Sequence, residues 1–316
     1  MRAATTGKGL IGPSLSAFAI VIGLAGGAGC SQSDAVGNDS GRPEVLLPGW
    51  APNEEEPERR VRLEVFTQYL EKRLKMPVDL VQTGSYSAEI EALRAGKIHA
   101  GTFSPFAYII GRERAPIDPL IIAGQPDGRH NTYRSVLIVP ASSPLYAIGD
   151  VKERAASLTM AWVDPASASG HLVPRVGLEA HGVAPERDFK RTVFTLSHVA
   201  SAMTTKAGKV DLAATSLNSL TRLIEKGRIA PGEVRVIWES EPIVTSVTVV
   251  HGKLPAAFRA ELRQAYLDFR ADAPEAWAQY NSRVRTPNTI WLPASDRDFD
   301  GLRELARSVP HLDLFD

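Results

Sequence analysis

The sequence predicts an α/β protein of two lobes that close on a hinged cleft. Short apolar runs rich in β-branched residues alternate with segments of helical periodicity along most of the 316 residues. These units fall into two clusters: "SVLIVPASSP" leaves the first, and "IVTSVTVVHGKLP" reads as a return to it. Long amphipathic segments near the C-terminus then need a sheet to cover. The alternation by itself also fits one large doubly wound sheet, so the two-lobe reading rests on the two crossovers.

The N-terminus comes first. Arg2 and Lys8 precede the apolar stretch "LIGPSLSAFAIVIGLAGGAGC", which ends in small residues and the only cysteine, Cys30. A basic start, an apolar middle and a small-residue end are the layout of an export signal, here residues 1–29. A permanent membrane helix is the competing reading, and Pro13 and the glycine run count against it. "SQSDAVGNDSGR" follows, too polar to bury a core, and residues 30–42 are expected to form a flexible tether.

The folded body is expected from residue 43. "PEVLLPGW" reads as a strand. In "PERRVRLEVFTQYLEKRLKM" the side chains Leu63, Phe66, Tyr69, Leu70 and Leu74 recur at helical spacing. "PVDLVQ" and "IHAGTF" are strands around the short helix "SAEIEALRAGK", with Ser87 as candidate N-cap and Gly96 near its end. "SVLIV", "LTMAWV", "TVFTL", "VDLAAT" and "VRVIW" follow as strands, and "LPAAFRAELRQAYLDFRADAPEAWAQY" supplies the late helices. The sheets are expected to be mostly parallel. The expected division is 43–138 plus 248–316 for lobe one and 139–247 for lobe two.

"DPASASGHLVP", residues 164–174, stands out just after an apolar strand. Asp164-Pro165 breaks the strand, and a helix is expected from about Ser169 or Gly170. Pro174 then falls in the first turn, where the amide has no intrahelical partner to lose. The amides of Ser167 to Gly170 are expected to face outward beside two hydroxyls, with the positive end of the helix dipole behind them. Such a site holds an anion without a formal charge. Plain N-capping by Ser167 or Ser169 is the simpler alternative. A serine nucleophile is disfavoured, because "SASGH" lacks the glycine two before the serine that a nucleophile elbow requires.

Composition adds exclusions. Basic and acidic residues balance at 36 each, so no basic footprint calls for nucleic acid. No His or acid spacing suggests a metal, no cofactor is called for, and one cysteine cannot form an internal disulfide.

The stretch "DPASASGHLVP" resembles the signature of substrate-binding proteins of phosphate, phosphite and phosphonate ABC transporters, Asp-Pro-x-Ser-Thr-Ser-Gly followed by Leu-Val-Pro. "GSYSAEIEALRAGKIHAGTFSPFAYII", "NTYRSVLIV", "FTLSHVASAMTTKAGKVDLAATS", "VRVIWESEPI" and "WLPASDRDFDGLRELAR" follow in that family's order. The resemblance implies a type II periplasmic binding protein fold with an oxyanion held between two α/β lobes. It implies Tyr86 and Tyr133 as first-lobe hydroxyl donors, Ser167, Ala168 and Ser169 as the anion grip, His198 on the second-lobe side, and Ser104 in a loop near the cleft. It further implies partnership with a permease and an ATPase, a monomer, and no enzymatic activity. Gly27-Ala28-Gly29-Cys30 resembles a bacterial lipobox, with Gly27 where a large aliphatic residue is usual. Acylation of Cys30 would hold the protein at the cell envelope. Two departures bear on the ligand. Ala168 replaces the middle hydroxyl, and Ser246 stands near where aminophosphonate binders carry an aspartate, with Glu239 or Glu241 as nearby candidates to replace it. A sulfonate or other small molecule on the same fold, or a sensor input domain, is the alternative reading.

Overall fold

The computed structural model describes residues 41–51, 56–282, 286 and 288–309. The export signal, Cys30 and the tether up to residue 40 lie outside the described residues. Among the described residues no helix is long and apolar enough to cross a membrane. The end of the expected tether is packed: Arg42 donates to the Leu74 carbonyl, pairs with Glu261 at 3.1 Å and covers the Phe258 ring.

Lobe one opens with β1 (Pro48–Trp50), α1 (Glu56–Leu74), β2 (Val81–Gln82), α2 (Tyr86–Arg94), β3 (Ala100–Phe103), α3 (Pro105–Arg114) and β4 (Ile117–Gly124). A short β5 (Thr132–Tyr133) leads to lobe two. That lobe holds β6 (Ser135–Pro140), α4 (Val151–Arg154), β7 (Thr159–Trp162), α5 (Val173–Ala180), α6 (Pro185–Asp188), β8 (Arg191–Phe194), α7 (His198–Lys206), β9 (Leu212–Ser216), α8 (Leu217–Glu225) and β10 (Val234–Glu239). The chain returns through β11 (Ile243–Val244) and β12 (Val247–His251), then adds α9 (Ala256–Asp272), α10 (Pro274–Tyr280), β13 (Ile290–Pro293) and α11 (Asp300–Arg307).

Two separate sheets result, ordered β13-β4-β12-β3-β1-β2 and β10-β6-β9-β7-β8, which excludes the single doubly wound sheet. Neither is mostly parallel. In the first, β3, β1 and β2 run parallel while β12, β4 and β13 pair antiparallel. In the second, β7 pairs parallel with β8 and β9, and β6 and β10 pair antiparallel. The antiparallel strands include those that enter from the other lobe, which need no helical crossover to reach their neighbours. The expected boundary at 138–139 cuts β6, which lies whole in the second sheet. Between the lobes β5 and β11 form their own antiparallel ribbon, Tyr133 opposite Ile243.

The apolar face of α1 packs as its spacing requires: Phe66, Tyr69, Leu70 and Leu74 are buried with α9 and α10 over one face of the first sheet. Phe66 sits within 4.7–5.2 Å of Tyr266, Phe269 and Trp291, an aromatic cluster that anchors the late helices. The other face, under α2 and α3, shares a continuous core with Val163, Ala166, Ala168, Leu172 and Val173 of lobe two. The lobes are therefore in direct contact. Two hydrogen bonds cross between them at 2.8 Å, Ser87 Oγ to Asp164 and Ser104 Oγ to the Ala166 carbonyl.

Candidate functional site

Most of the candidate residues follow the C-terminal end of a parallel strand, where open α/β sheets expose loops and helix starts to a crevice. The loop after β7 carries the Asp164–Leu172 stretch. The turn after β8 carries His198, and the end of β9 leads into Ser216, Asn218 and Ser219 at the start of α8. On the facing lobe, β2 leads to Tyr86 and β3 to Ser104.

The stretch after β7 is organised by short local bonds. Asp164 is buried and accepts from Ser87 and from the Ala166 amide. Ser167 caps the turn, its Oγ accepting the Gly170 amide at 3.0 Å, and one π-helical turn, Ala168–Leu172, precedes α5. The helical stretch thus begins slightly earlier than expected. A Cβ on Gly170 would stand 2.4 Å from the Val163 side chain, so only glycine lets this turn lie against the strand it leaves. Of the four amides expected to face outward, two are used internally: Ser167 N–H donates to the Asp164 carbonyl and Gly170 N–H to Ser167 Oγ. Among the described residues no acceptor meets the amides of Ala168 and Ser169.

Ser87 is not the cap of α2; Ser85 is, accepting the Ala88 amide at 3.1 Å, which frees Ser87 to reach Asp164 across the cleft. Ser104 caps α3 through the Ala107 amide while donating to lobe two. Tyr133 belongs to the ribbon between the lobes rather than to lobe one.

Tyr86, Ser104, Tyr133, Ser167 and His198 line one cavity of about 140 Å³. Ala168 and Ser169 do not line it; both are buried behind its wall. The Ser169 hydroxyl lies near that of Tyr133 and meets no other partner among the described residues. Sequence reasoning missed Ser216, Asn218, Ser219, Arg222 and Thr245, which complete the walls together with Ser246. The polar run "TSLNS" at the end of an apolar strand was the available signal. Glu239 and Glu241 are not on the walls, and Glu239 pairs with Arg134 at 3.3 Å.

The walls are rich in hydrogen-bond donors. Burial raises the Tyr133 hydroxyl to about 12, against a smaller lowering by Ser169, so it stays protonated at neutral pH. Burial lowers His198 to about 4, so its ring is neutral. Its Nδ1 accepts the Ser216 amide at 3.0 Å, which assigns the proton to Nε2 and makes that nitrogen a donor. Among the described residues no Asp or Glu lines the cavity, and Arg222 adds a positive charge. Hydroxyls, a neutral imidazole N–H, a guanidinium and the amides behind them suit an oxyanion and oppose a cation.

The chain matches the family model described as ABC transporter, phosphonate, periplasmic substrate-binding protein over residues 49–287. It is 26% identical over 292 residues to the phosphate-import protein PhnD of Mycolicibacterium smegmatis, covering 87% of this chain and 90% of that one. A binding protein component of an ABC phosphonate transporter (PA3383) from Pseudomonas aeruginosa shares the fold with a TM-score of 0.74 at 23% identity, covering 83% and 85% of the two chains. PhnD1 of Prochlorococcus marinus, solved with methylphosphonate, does so at 0.72 and 20%, covering 84% and 97%.

Proposed function

The chain belongs to the family of periplasmic substrate-binding proteins of phosphonate ABC transporters, and from that premise we propose that it captures a small phosphorus oxyanion between its lobes. Inorganic phosphate, phosphite and small phosphonates with uncharged tails are its ligands, delivered to a permease driven by an ATPase. The protein acts as a monomer and does no chemistry on what it carries. The observation that supports this best is the donor-rich cavity with no carboxylate among the described residues of its walls. Tyr86 and Tyr133 grip the anion from the first lobe and the ribbon, while Ser104, whose hydroxyl proton goes to the Ala166 carbonyl, ties the two lobes together beside it. Ser167 and His198 Nε2–H grip it from the second, with the unmet amides of Ala168 and Ser169 behind them adding positive partial charge. Ligand exchange requires the lobes to part, and the β5–β11 ribbon is the hinge.

Ser246 and Asn218 stand on the wall without an acid between them. A ligand ammonium there would lose its water with no carboxylate to replace it, which is costly. Calorimetry with phosphate, phosphite, methylphosphonate and 2-aminoethylphosphonate is therefore expected to rank the aminophosphonate last. Tightest binding to that ligand would reverse the specificity, and tight binding to methanesulfonate alone would move the assignment to sulfonates.

The family implies export to the periplasm, and we further propose that Cys30 carries the lipid that retains the mature protein at the membrane. Changing Cys30→Ser is expected to move it from the membrane fraction to the soluble exported fraction. A wild-type protein that carries no lipid label and fractionates as soluble would end this proposal.

A further inference from the structure

Two helix starts in lobe one hold the same short segment of lobe two. Ser87, in the first turn of α2, donates its hydroxyl to one oxygen of the Asp164 carboxylate at 2.8 Å, and its amide stands 3.4 Å from the other. Ser104, at the start of α3, donates to the Ala166 carbonyl at 2.8 Å. The Asp164 oxygen that meets the Ser87 hydroxyl also accepts the Ala166 amide at 2.8 Å. The contacts that join the lobes therefore also fix the turn whose next residue, Ser167, lines the anion cavity.

Asp164 is fully buried, and a carboxylate withdrawn from water needs hydrogen bonds in its place. Of the three groups that meet it, two belong to Ser87 across the cleft, and the first turn of α2 adds the positive end of that helix. Ser87 has no second task. Ser85 caps α2, and among the described residues the Ser87 hydroxyl meets Asp164 alone. Neither Ser87 nor Asp164 lines the anion cavity. An interaction that exists only while the lobes touch favours that state over the parted one, without any contact to the ligand.

We propose that Ser87 and Asp164 form a clasp between the lobes, with Ser87 a positioning residue that sets how long the oxyanion is retained and not which oxyanion enters. This rests on the small cavity being the ligand site and on lobes that part for exchange. Parting the lobes breaks the clasp and returns Asp164 to water; meeting re-forms it. Removing the Ser87 hydroxyl shifts that balance toward the parted state and speeds release. Asp164 is the poorer residue to change, because it also holds the Ala166 amide within its own lobe.

The test is calorimetry and stopped-flow release kinetics with inorganic phosphate and methylphosphonate, on the wild type, Ser87→Ala and Ser87→Thr. Alanine is the better helix former at this position and Ser85 still caps α2, so Ser87→Ala is expected to fold, which melting without ligand checks. It is expected to weaken both ligands by the same factor, about tenfold, the loss of one hydrogen bond to a charged group. The change is expected in the release rate, with association altered less than about twofold. Ser87→Thr keeps a hydroxyl and is expected to restore most of the retention. Wild-type affinity and release in Ser87→Ala overturn the proposal. Weakening of one ligand only overturns it too, because a clasp remote from the ligand cannot tell the two apart. A threonine variant as weak as the alanine one overturns the assignment to the hydroxyl. A wild type that binds neither ligand removes the anion reading of the small cavity and this inference with it, an outcome distinct from tight binding that ignores Ser87.

Discussion

Replacing Ser167 by alanine is expected to weaken oxyanion binding by about ten- to a hundredfold while leaving the lobes folded. The two effects of the change differ in size and are measured separately. As a cap, the Ser167 hydroxyl accepts the Gly170 amide at 3.0 Å, and loss of such a cap costs roughly 0.5–2 kcal/mol of stability. It also lines the small cavity, where the proposed oxyanion would accept its proton, and a hydrogen bond to a charged group contributes roughly 1.5–3 kcal/mol, which sets the expected fold-change in affinity. Thermal melting without ligand reads the first effect and calorimetry reads the second. Unchanged affinity alongside a lowered melting temperature would make Ser167 a cap only.

The second large effect is on stability against pH and comes from Glu89. Its carboxyl is 1% exposed, and among the described residues neither oxygen has a partner at close hydrogen-bond distance and angle, the Thr102 amide being a looser neighbour. Desolvation raises it to about 8, and the nearby Arg59 charge and the Thr102 amide only partly offset this. Gly101 makes the space: a Cβ there would stand 2.8 Å from the carboxyl oxygen. Because the folded protein holds this proton more strongly than the unfolded chain, the contribution is complete below the ordinary value of 4.5 and is lost as pH rises toward 8. His198 works in the opposite sense. Lowered from 6.5 to about 4 by burial, it contributes stability that is complete above 6.5 and lost as pH falls toward 4. His99, His171 and His251 are lowered for the same first reason and act in the same direction.

The opposing slopes overlap in mild acid, so the Glu89 effect stands alone from about pH 6.5 to 8. Stability is expected to fall there by about 1–2 kcal/mol, at roughly 1.4 kcal/mol per pH unit well below the folded value. Glu89→Gln keeps the shape without the titrating proton and is expected to flatten that fall. Denaturant unfolding of both proteins at three pH values decides it; parallel curves would mean the fall has another source.

The legible part of this protein was local. The α1 face, Leu63, Phe66, Tyr69, Leu70 and Leu74, could be read because helical spacing repeats within one segment; the last four are buried as the spacing required, and Leu63 is half-buried. The strands "IHAGTF", "LTMAWV" and "VDLAAT" were readable for the same reason, whereas β4, in "IDPLIIAG", begins around a proline and was passed over. The site was readable where a short motif carries its own capping chemistry, as with Ser167 and Gly170. Ser87 was misjudged because Ser85, Tyr86 and Ser87 offer two equivalent caps in sequence, and the choice depends on Asp164, 77 residues away.

By itself the sequence determined the alternation of elements and the motif after β7, since each depends on side chains within a few residues of one another, whereas the separation into two sheets and its boundary at β6 needed the tertiary structure. Tertiary structure alone decided which strands run antiparallel and that Tyr133 sits in the ribbon. It also decided which amides remain unmet and that Arg62 and Arg222 share one space with Ser246. The reason is physical. A hydrogen bond or a cavity wall is fixed by distances between groups far apart in the chain, and periodicity carries no information about which distant segment a loop will face. Glu89 is the plainest case. In sequence it is an acid in the first turn of a helix, favoured by the helix dipole, and only the packing of α2 against Gly101 makes it a buried proton carrier.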